Sequence, residues 1–229
     1  MAGLIQKFLS LFIAKKRADN SSNEAQRAKI MNKIASFPKI SEWYLDTYHS
    51  KVEFSVMHME LVEVKGNFKK FDGQITGTSP DFSDLKVKIN IDVSSVNTDS
   101  DARDFHLRSP EFFDAEKYPT ITFESTKIEW KPLKYFIMHG NLTIKGITKP
   151  VQLEGELKSM INKDMFGQPK ISFIVSGKIN RTDWNLTWNM SLEEGVIVVD
   201  EFVELRASVE IATKQTLLGM QDMLSKMQG

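Results

Sequence analysis

The side chains best suited to chemistry fall into two short groups, one on a predicted helix at 101–108 and one at the end of a predicted strand. On the helix, Asp104 and Arg108 are one turn apart and can pair. At the strand end, Arg181 and Asp183 are two residues apart, so an extended chain would direct both to one side. An arginine at the mouth of a cavity can hold a phosphate through paired hydrogen bonds. The same groups can instead tie a helix to the rim of a sheet, and that structural role is the favoured interpretation.

Histidine adds one further candidate. Strand alternation directs His58 inward, where it can contact a polar group or simply fill the core. His49 precedes it by nine residues, about 30 Å along an extended strand, so the two cannot share a metal ion. The residues that can hold a polar group at a rim are therefore His58, Arg103, Asp104, Arg108, Arg181 and Asp183.

No pattern of residues predicts catalysis. The sequence has no Gly-x-Ser-x-Gly elbow, no phosphate-binding loop and no His-x-x-x-His pair. It also has no cysteine, which excludes disulfides, thiolate metal sites and cysteine nucleophiles. We therefore predict a protein that is not an enzyme and that uses no metal and no catalytic cofactor. An enzyme of unknown reaction is the least favoured alternative.

The charge balance narrows the choice of partner. Thirty basic side chains match thirty acidic ones, whereas a general nucleic-acid binder needs a cationic surface to displace counterions from phosphates. We expect no nucleic-acid partner. The chain is 229 residues long and 41% hydrophobic, which is ordinary for a globular protein with a sizeable core.

Most of the chain alternates between apolar and polar residues with a period of two, the pattern of one-sided β-strands. In the segment 66–78 the phase slips between Phe68 and Phe71, which predicts a β-bulge. An antiparallel sheet with one apolar face must close on itself or meet a second sheet. The prediction is an all-β fold, a single eight-stranded antiparallel barrel with a short helical cap insert. Its strands are expected at 49–58, 66–78, 85–93, 120–130, 134–145, 149–158, 170–181 and 200–212.

The two ends of the chain have helical rather than strand spacing. Residues 1–40 are predicted as a helical extension, 41–212 as the barrel domain and 213–229 as an amphipathic helix with a stripe of leucine and methionine. The apolar run within 4–17 is too short to span a bilayer and lacks the layout of a secretory signal. We expect a cytoplasmic protein. The terminal helices are expected to pack on the barrel or in a homodimer, with peripheral membrane contact through 4–17 as the alternative.

A series of short motifs runs through the central insert and its flanks, from about residue 43 to 212. They are Trp43-x-x-Asp46-x-x-His49-Ser50, Gly66-x-Phe68-x-x-Phe71-x-Gly73, Ser95-Val96-Asn97-Thr98, Arg103-Asp104-x-His106-Leu107, Phe112-Phe113-Asp114, Tyr118-Pro119-x-Ile121-x-Phe123, Gly140-x-Leu142-Thr143-x-x-Gly146 and Arg181-Thr182-Asp183-Trp184. In this order and coverage they resemble the YceI-like family of polyisoprenoid-binding, lipocalin-like barrels. Within that span Asn185 departs from the resemblance, which leads us to expect glycine there.

The resemblance implies non-catalytic binding, transport or storage of an amphiphilic isoprenoid lipid, a polyprenyl compound or an isoprenoid quinone, in the barrel. The alternative is an interaction module with a solid barrel whose terminal helices bind a protein or a membrane. An oily chain needs a continuous apolar cavity with polar contacts at one end. The inward residues that would line such a cavity are Val52, Phe54, Val56, Phe68, Val87, Ile89, Ile91, Ile121, Phe123, Leu142, Leu153, Phe173, Val175, Leu205 and Val209.

Overall fold

The structure is a computed structural model that describes residues 32–33, 36–79, 82, 84–131, 134–191, 195 and 197–227. The extension predicted for 1–40, and with it the segment 4–17, lies largely outside this range. Eleven strands and two helices make up the described fold. In chain order they are β1 (Glu42–Leu45), β2 (Lys51–His58), β3 (Val62–Phe68), β4 (Phe71–Thr76), β5 (Lys86–Asp92), β6 (Val96–Asn97), α1 (Asp101–Arg108), β7 (Thr120–Trp130), β8 (Tyr135–Ile144), β9 (Ile147–Ile161), β10 (Lys170–Asn180), β11 (Val199–Ala212) and α2 (Lys214–Met227).

The strands form one closed antiparallel barrel, as predicted. The pairing runs β1-β4-β5-β7-β8-β9-β10-β11, and β11 returns to β1, so eight strands complete the circuit. Along β11, the segment Val199–Ser208 pairs with β2, whereas Ile211 and Ala212 pair with β1. β2 and β3 thus extend the wall beyond β1 and β4, and β6 adds a short pair to β3.

The single bulged strand predicted for 66–78 is wrong. Phe68 ends β3 and faces Val52 of β2, whereas Phe71 begins β4 and faces Ile91 of β5. The phase slip between these two phenylalanines therefore marks a change of strand and of partner. The strand predicted to begin at His49 begins at Lys51. His49 belongs to a turn after β1, in which the Asp46 carboxylate accepts hydrogen bonds from the backbone N–H groups of Tyr48 and His49.

The two ends of the barrel differ. Since neighbouring strands are antiparallel, one end of the barrel brings together the end of β5, the β8–β9 turn and the β10–β11 connection. Helix α1 lies at this end, which we call the cap end. At the opposite end Phe37 stacks on Trp43 at 5.9 Å between ring centroids and meets Phe82 edge-on at 6.4 Å. Phe37 belongs to the predicted extension, yet it is buried against the barrel.

Helix α2 packs against the β9–β10 connection. Thr216 is fully buried and its Oγ1 donates to Asp164 Oδ2 at 2.9 Å, while Met220 is buried beside it. The predicted apolar stripe stops short of Met227, whose side chain is 75% exposed. Within the described part of the chain, no helix has the length and apolar character needed to cross a bilayer.

Candidate functional site

The barrel is hollow. A cavity of about 280 Å³ occupies its interior, so the alternative of a solid barrel is wrong. Every residue predicted to line a cavity lies on its wall, because strand alternation directs one face of each strand inward. These residues are Val52, Phe54, Val56, Phe68, Val87, Ile89, Ile91, Ile121, Phe123, Leu142, Leu153, Phe173, Val175, Leu205 and Val209.

The wall also contains apolar residues that the sequence reasoning missed. At the cap end, Leu107 of α1 and Phe112 and Phe113 of the following corner face the cavity. At the other end, Trp130 and Phe136 lie on it, with ring centroids 5.0 Å apart. A bulge between Ser125 and Lys127 shifts the phase of β7, which is why alternation counted from Phe123 does not reach Trp130. Counting back from Leu142 along β8 would have found Phe136.

Three phenylalanine–glycine contacts explain why so many aromatic rings leave room inside. The ring of Phe136 lies over Gly155, where a Cβ atom would come within 2.0 Å of it. Phe54 covers Gly66 in the same way at 2.3 Å, and Phe123 covers Gly140 at 2.4 Å. Because glycine has no side chain, each ring can lie against the backbone of the neighbouring strand. These three Phe–Gly pairs keep the rings flat on the wall.

Among the described residues of the cavity wall, the one buried charge is the guanidinium of Arg181 at the cap end. Arg181 is 4% exposed, and its guanidinium donates hydrogen bonds to backbone carbonyls of the β10–β11 connection and of β11. Burial lowers its pKa, partly opposed by the negative charges of Asp200 and Glu201. Four hydrogen bonds hold it: Nε donates to Asp200 O at 2.9 Å, Nη2 donates to Val199 O at 3.0 Å, and Nη1 donates to Trp188 O at 2.9 Å and also to Leu186 O.

A family model described as a YceI-like domain matches residues 43–211. The chain belongs to the YceI-like domain family. A UPF0312 protein of Staphylococcus aureus is 35% identical over 176 residues, which cover 77% of this chain and all of that protein.

Solved structures share the barrel. The YceI protein of Campylobacter jejuni is 33% identical, with a TM-score of 0.58 over 69% of this chain and 90% of that one. A protein described as a polyisoprenoid binding domain from Saccharophagus degradans, implicated in plant cell wall breakdown, superposes with a TM-score of 0.55 over 76% of this chain and 99% of that one. At 17% identity, this second likeness concerns the fold alone.

Beside Arg181, the YceI-like domain departs from the sequence prediction. Asp183 does not share a side with Arg181, because the strand ends at Asn180 and a 3-10 turn spans Arg181–Trp184. Asp183 is exposed as a result. Asn185 ends this turn in the left-handed conformation, with φ at 56°. Asparagine tolerates that conformation better than most residues, so it can replace the glycine that the family resemblance leads one to expect here.

The pairing of Asp104 with Arg108 that helical spacing allows is not formed. Asp104 is buried and turns back to Thr98, accepting from its N–H at 2.8 Å and from its Oγ1 at 2.6 Å. Arg103 closes the same loop by donating to Thr98 Oγ1 and to Thr98 O, both at 2.7 Å. Arg108 is half-buried, and no ion pair to it is found among the described residues. These side chains anchor α1 to the strand before it.

Two histidines end up at the cap end of the YceI-like domain. His58 is the last residue of β2, half-buried opposite Val199, and does not lie on the cavity wall. His106 of α1 contacts the rings of Phe112 and Trp188 edge-on, at 4.9 and 4.7 Å between centroids. His106 therefore joins α1 to the β10–β11 connection.

A cluster of potential metal ligands lies outside the cavity, on Asp46, His49 and Glu210, whose ligand atoms are within 4.8 Å of one another. The ammonium of Lys170 sits among them, 2.9 Å from Asp46 Oδ2 and in contact with Glu210 Oε1. The protein thus supplies its own cation to this cluster, and the cluster serves to join strands.

Proposed function

We propose that the barrel binds one amphiphilic isoprenoid lipid, a polyprenyl compound or an isoprenoid quinone, for transport or storage and without catalysis. The observation that carries the proposal is an apolar cavity with a buried guanidinium, that of Arg181, at one end. The described polyisoprenoid binding domain of the same fold supports it as an analogy. The oily chain would lie along the strands, with its polar group at the cap end.

The magnitudes indicate how much contact such a ligand must make. Each buried CH₂ group contributes about 0.8 kcal/mol, so ten of them contribute about 8 kcal/mol. Micromolar affinity requires about 8 kcal/mol net, and association itself costs at least about 4 kcal/mol in lost freedom. The remaining binding free energy must come from further apolar contact or from the polar group of the ligand. One of the five N–H groups that an arginine carries is left over at Arg181, and it can donate to an acceptor on a bound molecule.

The wall also supports a role without catalysis. The other polar residues that border the cavity, Glu53, Ser176 and Arg206, alternate with inward apolar neighbours, so their side chains are directed away from it. Along the described part of the wall, no carboxylate or imidazole is placed to accept a proton from a bound molecule. A binding protein needs no such group, whereas general acid–base catalysis does.

The test is to purify the full chain from cells, extract it with organic solvent and identify the released molecules by mass spectrometry. Leu205 lies on the cavity wall, and its neighbour Glu204 is exposed on the outer face of β11. Leu205→Trp should lower the amount of isoprenoid released severalfold, whereas Glu204→Trp should leave it unchanged. An extract of folded wild-type protein that repeatedly contains no isoprenoid would reject the proposal.

A further inference from the structure

One face of α2 is covered by the barrel along only half of its length. At intervals of three or four residues, this face carries Thr216, Met220, Met223 and Met227. Thr216 and Met220 are buried against the β9–β10 connection, whereas Met223 is 37% and Met227 75% exposed. Exposure therefore rises along a single face with distance from the barrel. Because an amphipathic helix is stabilised by burying its apolar face, the outer half of this face has the character of a contact surface.

The N-terminal extension joins the barrel beside the start of α2. Phe37 stacks on Trp43, and the next residue, Tyr44, pairs with Ala212 at the end of β11. Paired residues of neighbouring strands lie about 5 Å apart, and α2 begins two residues after Ala212. The family model matches 43–211, so the extension and α2 are both additions to the shared domain. Both additions leave the barrel at the same place, opposite the cap end.

The sequence of the extension provides an apolar face that matches the one on α2. Phe8 and Phe12 lie at the centre of the apolar side predicted for 4–13, and Ser10 lies on the opposite side. Residues 14–31 connect this segment to the described chain and can span at most about 60 Å. Helix α2 has 14 residues and is about 21 Å long, so the segment can reach any point along it.

We infer that residues 4–13 dock on the exposed half of this face of α2 in the same chain. Docking covers two apolar faces at once, whereas insertion of 4–13 into a membrane would leave Met223 and Met227 exposed. A flexible tether holds a segment at an effective concentration in the millimolar range, so docking within one chain prevails over docking from a second copy. The inference concerns the outside of the barrel and does not depend on what the cavity binds.

Methionine oxidation measures this cover in the full chain. Dilute hydrogen peroxide converts accessible methionines to sulfoxides, and peptide mass spectrometry gives a rate for each one. Met190, in the β10–β11 connection at the cap end, is the internal reference at 56% exposure. An uncovered Met227, which is 75% exposed, should oxidise at least as fast. With 4–13 docked, Met227 should oxidise at least about fivefold more slowly than Met190, because sulfoxide formation requires access to the sulfur.

Two matched substitutions identify the covering segment, and neither changes a residue of the barrel. Phe8→Asp, at the centre of the apolar side, should let Met227 oxidise as fast as Met190, whereas Ser10→Asp should leave it protected. Equal rates in the wild type, or protection that persists in Phe8→Asp, would overturn the inference. Protection that increases with protein concentration would overturn it in favour of a second copy. Protection that requires added phosphatidylglycerol vesicles would overturn it in favour of a membrane surface.

Discussion

Asp46 and Lys170 are 124 positions apart in the sequence, yet Asp46 Oδ2 accepts a hydrogen bond from Lys170 Nζ at 2.9 Å. Asp46 is fully buried at the point where β11 changes its partner from β2 to β1. Its own N–H donates to Glu210 O at 2.8 Å, and Lys170 also contacts the Glu210 carboxylate. The ion pair therefore links the strands on both sides of the seam that closes the barrel.

The first prediction concerns the strength of this link. Asp46→Ala should lower the free energy of unfolding by about 2–3 kcal/mol, because it removes the charged hydrogen bond from Lys170 and those from the backbone N–H groups of Tyr48 and His49. Asp222→Ala is the control, since its pair with Lys226 on α2 is exposed and should be worth less than about 1 kcal/mol. Urea denaturation of both variants measures the difference. Equal losses would mean that the seam is not held by Asp46.

A second prediction follows from the pKa of Asp46. Burial would raise this pKa, but the hydrogen bonds from Lys170 and His49 outweigh burial and hold it below the usual value. A lowered folded-state pKa adds stability above the unfolded pKa, near 3.9, which is lost as the pH falls through the folded value. The wild type should therefore lose more stability than Asp46→Asn below about pH 4. Unfolding free energies measured from pH 2 to 7 test this, and parallel curves would contradict it.

Third, the hydrogen bonds between Asp104 and Thr98 should hold α1 in place at the cap end. Asp104→Ala removes both hydrogen bonds to Thr98 and should destabilise α1 by about 1–3 kcal/mol. Amide hydrogen exchange in α1 should then become faster while exchange in β9 and β10 stays slow. Arg108→Ala is the comparison, since a pairing of Asp104 with Arg108 would make it equally damaging. Similarly faster exchange in both variants would instead indicate that Asp104 pairs with Arg108.

Alternation in the sequence was sufficient to predict the barrel and most of the apolar wall of its cavity. Residues such as Val87, Ile89 and Ile91 occupy successive inward positions because side chains in a strand alternate strictly. What alternation could not reveal is where the phase is broken. The break between Phe68 and Phe71 changes the strand, and the bulge before Lys127 reverses which residues of β7 face inward.

The contacts of the polar residues were harder to predict from sequence, because a polar side chain usually has several possible hydrogen-bond partners nearby. Spacing along a helix allowed Asp104 to meet Arg108, but the carboxylate found two donors on Thr98 within its own loop. Spacing along a strand placed Asp183 beside Arg181, but the chain turns at Asn180, whose side chain accepts from the N–H of Thr182. Such local capping depends on backbone angles that residue spacing does not specify.

A fourth prediction separates the structural role of Arg181 from any role in binding. Arg181→Lys should lower the free energy of unfolding by about 2–3 kcal/mol, because a lysine ammonium cannot reach four backbone carbonyls that a planar guanidinium spans. Arg206→Lys, on the exposed face of β11, should change it by less than about 0.5 kcal/mol. Urea denaturation measures both. An Arg181→Lys variant of unchanged stability would show that these carbonyls do not depend on the guanidinium.

The fifth prediction concerns the two-residue turn between β8 and β9. Ile144 faces Ile147, and the residues between them, Lys145 and Gly146, have φ values of 50° and 74°, as a type I′ turn requires. Gly146→Ala should destabilise the protein by at least about 1–2 kcal/mol, since a left-handed conformation is costly for alanine and its Cβ would meet the Tyr118 ring at 2.8 Å. Lys145→Asn should be neutral or stabilising, because asparagine suits this position and the bond from Lys145 Nζ to Pro110 O that it removes is exposed. Thermal and urea unfolding should therefore separate the two variants. A loss of stability in Lys145→Asn as large as that in Gly146→Ala would show that the contact with Pro110 matters more than the turn.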